Sequence, residues 1–301
     1  MLDGILAGLA AGALWGLVFV APSLVPGLSP VDLVAGRYFF YGLTSALVMA
    51  VQARSRPLPT WHQAWAALVL SVLGFSGYYF LLVLAIRDAG PEVPTLIIGV
   101  IPVWVMLLGK PAHLRWLHLL PGLLLTVLGI VLMMDLPKLL LHSAAQQATD
   151  YWRGLAFALA AMLCWTAFAV WNAAWLKKHR DVSTTDWANW LGVGAGLASI
   201  GVWLAAGSEP KVLMDLDNSA EAAIVCIAIG VGSGWLATVL WNRASRVLSA
   251  SLCGQLIVSE TLFGLLFVFT FARQWPSTVQ LLACGLFVLG ILASIRAHRK
   301  I

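Results

Sequence analysis

The sequence predicts an all-α integral membrane protein with ten transmembrane helices, arranged as two five-helix halves of inverted topology. Three observations support this prediction. Of 301 residues, 61% are hydrophobic and 10% are charged, whereas soluble domains are about 45–50% apolar and about 25% charged. Ten apolar stretches are long enough to span a bilayer, which takes about 20 residues. Residues 4–20 share six identical positions with residues 154–170, so the chain contains an internal repeat.

The predicted helices follow from the apolar stretches and from the charged or turn-forming residues between them. In the first half they are Ile5–Leu24, Val31–Val51, Trp65–Ala85, Val93–Gly109 and Leu117–Met134. In the second half they are Leu155–Leu176, Trp187–Ala206, Ala222–Trp241, Leu248–Phe271 and Val279–Ile295. We therefore predict repeats at residues 1–137 and 152–301, joined by a polar linker at 138–151.

The Lys and Arg residues of the short loops predict the orientation, because they are enriched on the cytoplasmic side. With the N-terminus inside, cytoplasmic positions hold twelve of them and the other side five. Both termini are therefore predicted to be cytoplasmic. The net charge of +5 is explained by these loops and indicates no nucleic-acid partner. Five helices is an odd number, so the second half inserts upside down, as in secondary transporters whose site lies near the midplane.

Further repeated features support the two halves and point to a family. Predicted helices 5 and 10 both contain Val-Leu-Gly-Ile, at 127–130 and 288–291, and helices 3–4 align with helices 8–9 at a spacing of 156. Together with Trp15 and Trp165, Asp32 with Arg37, Pro102 and Glu260, these runs make the chain resemble the EamA-type transporters of the drug/metabolite transporter superfamily. The resemblance covers essentially the whole chain. Its Trp-rich sequence and Gly109-Lys110-Pro111 are most similar to bacterial aromatic-amino-acid exporters of the YddG type.

The resemblance implies a multi-pass protein of the bacterial inner membrane that exports small molecules by alternating access. The chain departs from the family pattern at three places. The Gly-Glu pair that often ends helices 4 and 9 is Gly109-Lys110 and Ala272-Arg273 here, and the Pro that often follows the helix-9 Glu is Thr261. These departures weaken the transfer of a family role to Glu260.

Predicted helices 4 and 9 contain the most informative candidates. Pro102 removes a helical hydrogen bond, and the result is either a bent helix that exposes backbone polarity to substrate or an ordinary kink. Pro102 and Thr95 are both candidates for the substrate cavity. Glu260 is the one carboxylate deep in an apolar segment, where ionisable residues suggest function. However, Ser251 and Gln255 share a stripe about 140° away from Glu260. If that stripe faces the pathway, Glu260 has a structural hydrogen bond more readily than a role in proton coupling.

The remaining candidates are a cation and several deep aromatic or amide side chains. Arg37 either extends to the interface or meets a substrate carboxylate. The further cavity candidates are Trp15, Tyr78, Tyr79, Trp165 and Asn172. Trp15 and Trp165 occupy matching positions of the repeat, whereas aromatic stripes at helical spacing are more often packing. The glycines at 4, 8, 12 and 16 form a small-residue stripe that predicts close approach of another helix.

Other classes of protein find little support. Gly74-Phe75-Ser76-Gly77 matches a serine-protease motif, but all six histidines lie in predicted loops or at helix ends. We therefore expect no catalytic residues, no metal site and no cofactor, and the absence of a P-loop motif excludes direct coupling to ATP. The scarcity of buried charge favours a neutral or zwitterionic, partly apolar substrate. We predict amino-acid export, aromatic ones preferred, by a monomer in the lipid bilayer; the alternative is export of other amphipathic metabolites or drugs.

Overall fold

The protein is helical throughout the residues that the structure describes. The structure is a computed structural model and describes residues 1–54, 56, 58–90, 92–112, 114–133, 148–273 and 275–299. We number the helices so that they correspond to the predicted ones. They are α1 (Leu2–Phe19), α2 (Pro30–Gln52), α3 (Trp61–Ala89), α4a (Glu92–Gly99), α4b (Ile101–Leu108), α5 (Trp116–Met133), α6 (Ala148–Lys178), α7 (Thr184–Ala206), α8 (Ser219–Val247), α9 (Ala250–Ala272) and α10 (Thr278–Arg299).

Within the described residues, nine of these helices are long and apolar enough to cross a membrane. Their large outward-facing side chains are mostly leucine, valine and tryptophan, which suits contact with lipid. Two short helices, Ala21–Leu24 and Pro210–Met214, follow α1 and α7. Residues 138–147 of the predicted linker lie outside the described residues. Its last four residues, 148–151, are not linker but the first turn of α6.

The prediction of helix 4 as one continuous helix is wrong. Gly99 ends α4a and Ile101 begins α4b, and Val100 between them has φ −89° and ψ 0°. Pro102 lies in the first turn of α4b, where proline is tolerated because that turn has no partner for its N–H group. The proline therefore starts a new helix instead of bending an existing one.

Serine and threonine residues begin the longer helices. The side chains of Ser29, Ser183 and Ser249 each accept a hydrogen bond from a backbone N–H three residues later. Thr60 and Gln63 form a reciprocal capping box at the start of α3. Such caps satisfy N–H groups that have no partner within the helix, so these polar residues fix where each apolar segment starts.

The glycine stripe of α1 packs against α9 and the end of α8, as the sequence predicts. A methyl group added at Gly8 would lie 2.7 Å from Leu256 Cδ1, and one at Gly16 would lie 2.8 Å from the backbone N of Gly264. Both distances are shorter than ordinary van der Waals contact. The absence of side chains at these positions lets the two helices approach closely.

Helices of the first half pack mainly against helices of the second half. α1 contacts α8 and α9, and α6 makes the corresponding contacts with α3 and with α4a and α4b. α2 packs against α7, α5 against α10, and α4b against α9. The interface between the halves is therefore central to the bundle.

Polar contacts also come in matched pairs at the two sides of the bundle. Arg243 at the end of α8 pairs with Asp3 at the start of α1, with a closest N–O distance of 2.9 Å. Arg153 at the start of α6 pairs with Asp88 at the end of α3 at 2.6 Å. In the first pair the arginine lies at a helix end and the aspartate at a helix start, whereas in the second pair the arginine lies at the start and the aspartate at the end. Both pairs join the start of the first helix of one half to the end of the third helix of the other half.

The starts of α2 and α7 show the same correspondence. Asp32, in the first turn of α2, accepts hydrogen bonds from the backbone and side chain of Ser208, just beyond α7. Asp186, in the first turn of α7, pairs with Arg56, just beyond α2, at 3.2 Å. Each helix start is thus tied to the chain that leaves its partner helix.

Candidate functional site: a polar and aromatic centre between the halves

The bundle is tightly closed at one side. We call the side on which α1 begins the N-terminal side. There, the backbone N–H of Ser251 at the start of α9 donates to the carbonyl of Gly109 after α4b, at 3.1 Å. A methyl group added at Gly109 would lie 2.6 Å from the Cβ of Ala250. The end of α4b and the start of α9 therefore leave no space between them.

The opposite side is packed less densely around the same two helices. Residues 250–259 of α9 are all buried, whereas most of residues 260–272 are half-buried or exposed. α4b packs extensively on α9, while α4a packs on α6 and α3 instead. The interruption at Val100 therefore separates a closed half of α4 from a half that stands apart from α9.

An aromatic cluster occupies the centre of the bundle. The ring of Trp241 in α8 lies 5.2 Å from that of Trp15 and 6.4 Å from that of Trp165, between ring centroids. Trp165 also meets Phe168 at 6.0 Å. Tyr78 packs against the same core. The two tryptophans that the repeat matches are thus joined by a third that the sequence did not single out.

Trp241 is missed by the sequence because the predicted end of helix 8 falls on it. A tryptophan at a helix end is typical of the membrane interface. In the structure α8 continues to Val247, so Trp241 lies inside the helix and is only 1% exposed. The polar residues that follow it, Asn242 and Arg243, made the sequence signal look like a boundary.

A cation lies inside the bundle, between α2 and α8. Arg37 in α2 donates from Nη2 to the backbone carbonyl of Ser233 at 3.1 Å, and its guanidinium carbon lies 5.2 Å from the ring centroid of Tyr38. Ser233 belongs to a π-helical segment of α8, Gly230–Leu236, and such segments are frequent at functional sites. The guanidinium therefore points into the bundle and not to the lipid headgroups.

A carboxylate, Glu260 in α9, lies within the electrostatic range of this cation. Arg37 and Glu260 are close enough to interact electrostatically, and the hydroxyls of Tyr38 and Tyr78 are within electrostatic reach of the same carboxylate. Tyr79 belongs to the same group, although its hydroxyl donates to the carbonyl of Pro30 at 2.9 Å. Three helices, α2, α3 and α9, thus carry this cation, this carboxylate and the phenols around them.

The stripe of Ser251 and Gln255 on α9 is buried in the structure. Gln255 is fully buried, donates to Thr126 Oγ1 in α5 at 2.8 Å and accepts from Ser294 Oγ in α10 at 3.0 Å. Ser251 is also fully buried, against the end of α4b. Gln255 and Ser251 thus face neighbouring helices, and Glu260 lies on a different face of α9. A structural role for Glu260 is favoured on the condition that the Gln255 stripe faces the pathway, and this stripe contacts α5 and α10 instead.

The other candidates lie away from this centre. Asn172 is fully buried and joins three helices, donating to Asn242 at 3.0 Å and accepting from Trp187 Nε1 at 2.7 Å. Thr95 lies on an exposed face of α4a, and Pro102 is buried at the start of α4b. Ser76, the serine of the protease-like motif, donates to the carbonyl of Ala195 at 3.1 Å.

The described residues contain no group of three or more His, Cys, Asp or Glu side chains that could hold a metal ion. The four cysteines are unpaired. The polar chemistry of the centre is therefore that of a guanidinium, a carboxylate and phenols, next to indole rings. These groups bind charge and flat apolar surface.

A multi-pass helical bundle with an interrupted helix and ionisable groups near its middle is the architecture of a secondary transporter. Comparison with known proteins gives the family. The model of the EamA-like transporter family matches residues 2–135. The inner membrane protein YtfF of Escherichia coli (strain K12) is 33% identical over 99% of this chain and 96% of its own length. The chain therefore belongs to the EamA-like transporter family and is a multi-pass inner membrane protein.

The fold is shared with a solved structure of lower similarity. One crystal structure superposes with a TM-score of 0.73 at 20% identity, covering 97% of this chain and 98% of that chain. At this identity the likeness concerns the fold alone. It extends over both halves of the chain, including the region beyond the family match.

Proposed function

We propose that the protein exports amino acids, with aromatic ones preferred, by alternating access around the polar and aromatic centre. The observation that carries this proposal is that one bundle contains both the cluster of Trp15, Trp165 and Trp241 and the charges of Arg37 and Glu260. An aromatic amino acid has a flat apolar ring and a zwitterionic head, and the centre offers a partner for each. A single bundle contains all of these groups, which supports function as a monomer.

The proposed scaffold is a ten-helix, five-plus-five inverted repeat, with residues 1–137 and 152–301 as its halves. The exchanged ion pairs at the two sides and the reciprocal contacts of α2 and α7 support it. So do the π-helical segments of α3 and α8, Val72–Ser76 and Gly230–Leu236, which overlap at the sequence spacing of 156. α4a and α4b together form the remaining crossing in this arrangement.

The closed N-terminal side and the looser opposite side support one state of an alternating-access cycle. We propose that the N-terminal side is cytoplasmic, because the excess of Lys and Arg lies there. The conformation described is then open to the outside. In the other state, α4b would separate from the start of α9 and α4a would approach its end.

Uptake into proteoliposomes with a panel of amino acids, with and without a pH gradient, tests the proposal. Phenylalanine, tyrosine and tryptophan are expected to be carried faster than small or charged amino acids. If no aromatic amino acid is carried, the substrate assignment fails. Transport of other amphipathic metabolites in the same vesicles would then support the alternative assignment within the family. The pH gradient shows whether protons drive the cycle.

A further inference from the structure

Two opposite charges lie inside the membrane-spanning part of the bundle, one on α2 and one on α9. Arg37 is seven residues into α2 and Glu260 is ten residues into α9, and both helices have 23 residues. At 1.5 Å per residue these positions are about 10 and 15 Å from the helix starts. Because α2 and α9 are each about 34 Å long and begin on opposite sides, Glu260 lies about 9 Å deeper than Arg37, measured from the side on which α2 begins. Ionisable groups at this depth are costly and usually functional.

The two charges attract each other without forming a direct pair. Among the described residues, the Arg37 guanidinium and the Glu260 carboxylate are not within the 4 Å of an ion pair, and the carboxylate accepts no hydrogen bond. Arg37 uses one nitrogen for the Ser233 carbonyl, and its buried Nε has no partner. A guanidinium carries five N–H donors. Both groups thus retain unused binding capacity.

The internal repeat does not account for this pair. At the spacing of 156 that relates α9 to α4, the counterpart of Glu260 is Trp104. At the spacing of 154 that relates the caps Ser29 and Ser183, the counterpart of Arg37 is Leu191. The matched contacts at the sides of the bundle belong to both halves, whereas each charge belongs to one. The pair is therefore an addition to the scaffold.

We infer that Arg37 binds the carboxylate and Glu260 the ammonium group of an α-amino acid, with the ring of the substrate on the tryptophan cluster. This assignment rests on the proposed function and specifies its head-group recognition. An α-amino acid carries its two charges on neighbouring atoms, so it bridges a cation and an anion that do not touch. Charge-assisted hydrogen bonds of this kind are the strong ones. They also replace the hydration that a zwitterion loses on entering the bundle.

Competition against labelled phenylalanine in proteoliposome counterflow tests the assignment. The competitors are phenylalanine, phenethylamine, which lacks the carboxylate, and 3-phenyllactate, which lacks the ammonium group. In the unaltered protein, phenylalanine should compete at least about ten-fold better than either analogue, which corresponds to about 1.4 kcal/mol. The variants are Arg37→Gln and Glu260→Gln. Arg87→Gln is the control, because Arg87 is exposed and Asp88 keeps Arg153 as a partner.

Each variant should lose one preference and retain the other. Arg37→Gln is expected to bring the preference over phenethylamine below about three-fold while the preference over phenyllactate persists. Glu260→Gln is expected to do the reverse, and the control should keep both. If a glutamine variant does not fold, Arg37→Lys and Glu260→Asp should keep the preferences because they keep the charges.

Three results would overturn the assignment. In the first, a variant weakens the competition by all three compounds by the same factor, which indicates a structural role for the pair. In the second, both preferences survive in both variants. In the third, phenylalanine has no advantage over its analogues in the unaltered protein, although it is transported. Failure of the unaltered protein to carry any aromatic amino acid is a different result, because it refutes the proposed function and removes the basis of the assignment.

Discussion

Replacement of Gly16 by alanine tests the close packing of α1 on α9. A methyl group at this position would lie 2.8 Å from the backbone N of Gly264 and 3.0 Å from the backbone carbonyl carbon of Phe263. Carbon atoms normally pack at about 3.5–4.0 Å, and backbone atoms cannot rotate away as a side chain can. The helices must therefore separate by roughly half an ångström or more. Overpacking of this kind costs about 1–3 kcal/mol.

Gly201→Ala in α7 is the matched control, because no atom lies within 4 Å of a methyl group there. Alanine at that position adds helix propensity of up to about 1 kcal/mol without a clash. Thermal unfolding in detergent, followed by size-exclusion chromatography, should give a lower midpoint for Gly16→Ala by about 2 to 10 °C. The control should be unchanged or higher. Equal midpoints for the two variants would show that α1 and α9 are not in contact as described.

Three further predictions follow from the described contacts. Gln255→Leu leaves two buried hydroxyls without a partner, so the free energy of unfolding should fall by about 1–3 kcal/mol while the order of substrate preference in vesicles stays the same. Trp241→Ala removes the ring that joins the two halves, and the concentration for half-maximal uptake of tryptophan should rise several-fold more than that of alanine. Cysteines at Gly109 and Ala250, in a background without the native cysteines, should cross-link on oxidation, because this side is closed. Uptake should stop and return on reduction; failure to cross-link would contradict the closure.

The sequence predicts most of the scaffold because the bilayer leaves few alternatives. A segment of about 20 apolar residues in lipid must satisfy its own backbone hydrogen bonds, so it forms a helix. The small-residue stripe of α1 likewise predicts close packing without tertiary information, and the structure confirms it at Gly8 and Gly16. These predictions depend on local composition alone.

The site is harder to predict, because it depends on how each helix is rotated about its axis. Helical phase placed Gln255 and Glu260 on different faces of α9 and was right about their separation. It could not decide which face meets the centre, since both faces carry a polar residue. The hydroxyls of Thr126 and Ser294 decide this by pairing with Gln255, and they lie 129 and 39 residues away in sequence.

The helix interruption and the charge pair have different origins in the sequence. Pro102 indicates a break in α4 from its own chemistry, because a proline cannot continue the helix that precedes it. No local sequence pattern marks Arg37 or Glu260, and the role proposed for each of them depends on the presence of the other. A symmetrical scaffold presents equivalent surfaces to its centre from both halves, so by itself it cannot orient a substrate with unlike ends. In the proposed assignment, one cation on α2 and one anion on α9 break that symmetry, and the tryptophan cluster adds a third point of contact with the substrate. If the protein carries amino acids as proposed, these three unlike contacts suffice to fix the direction in which the substrate lies in the bundle.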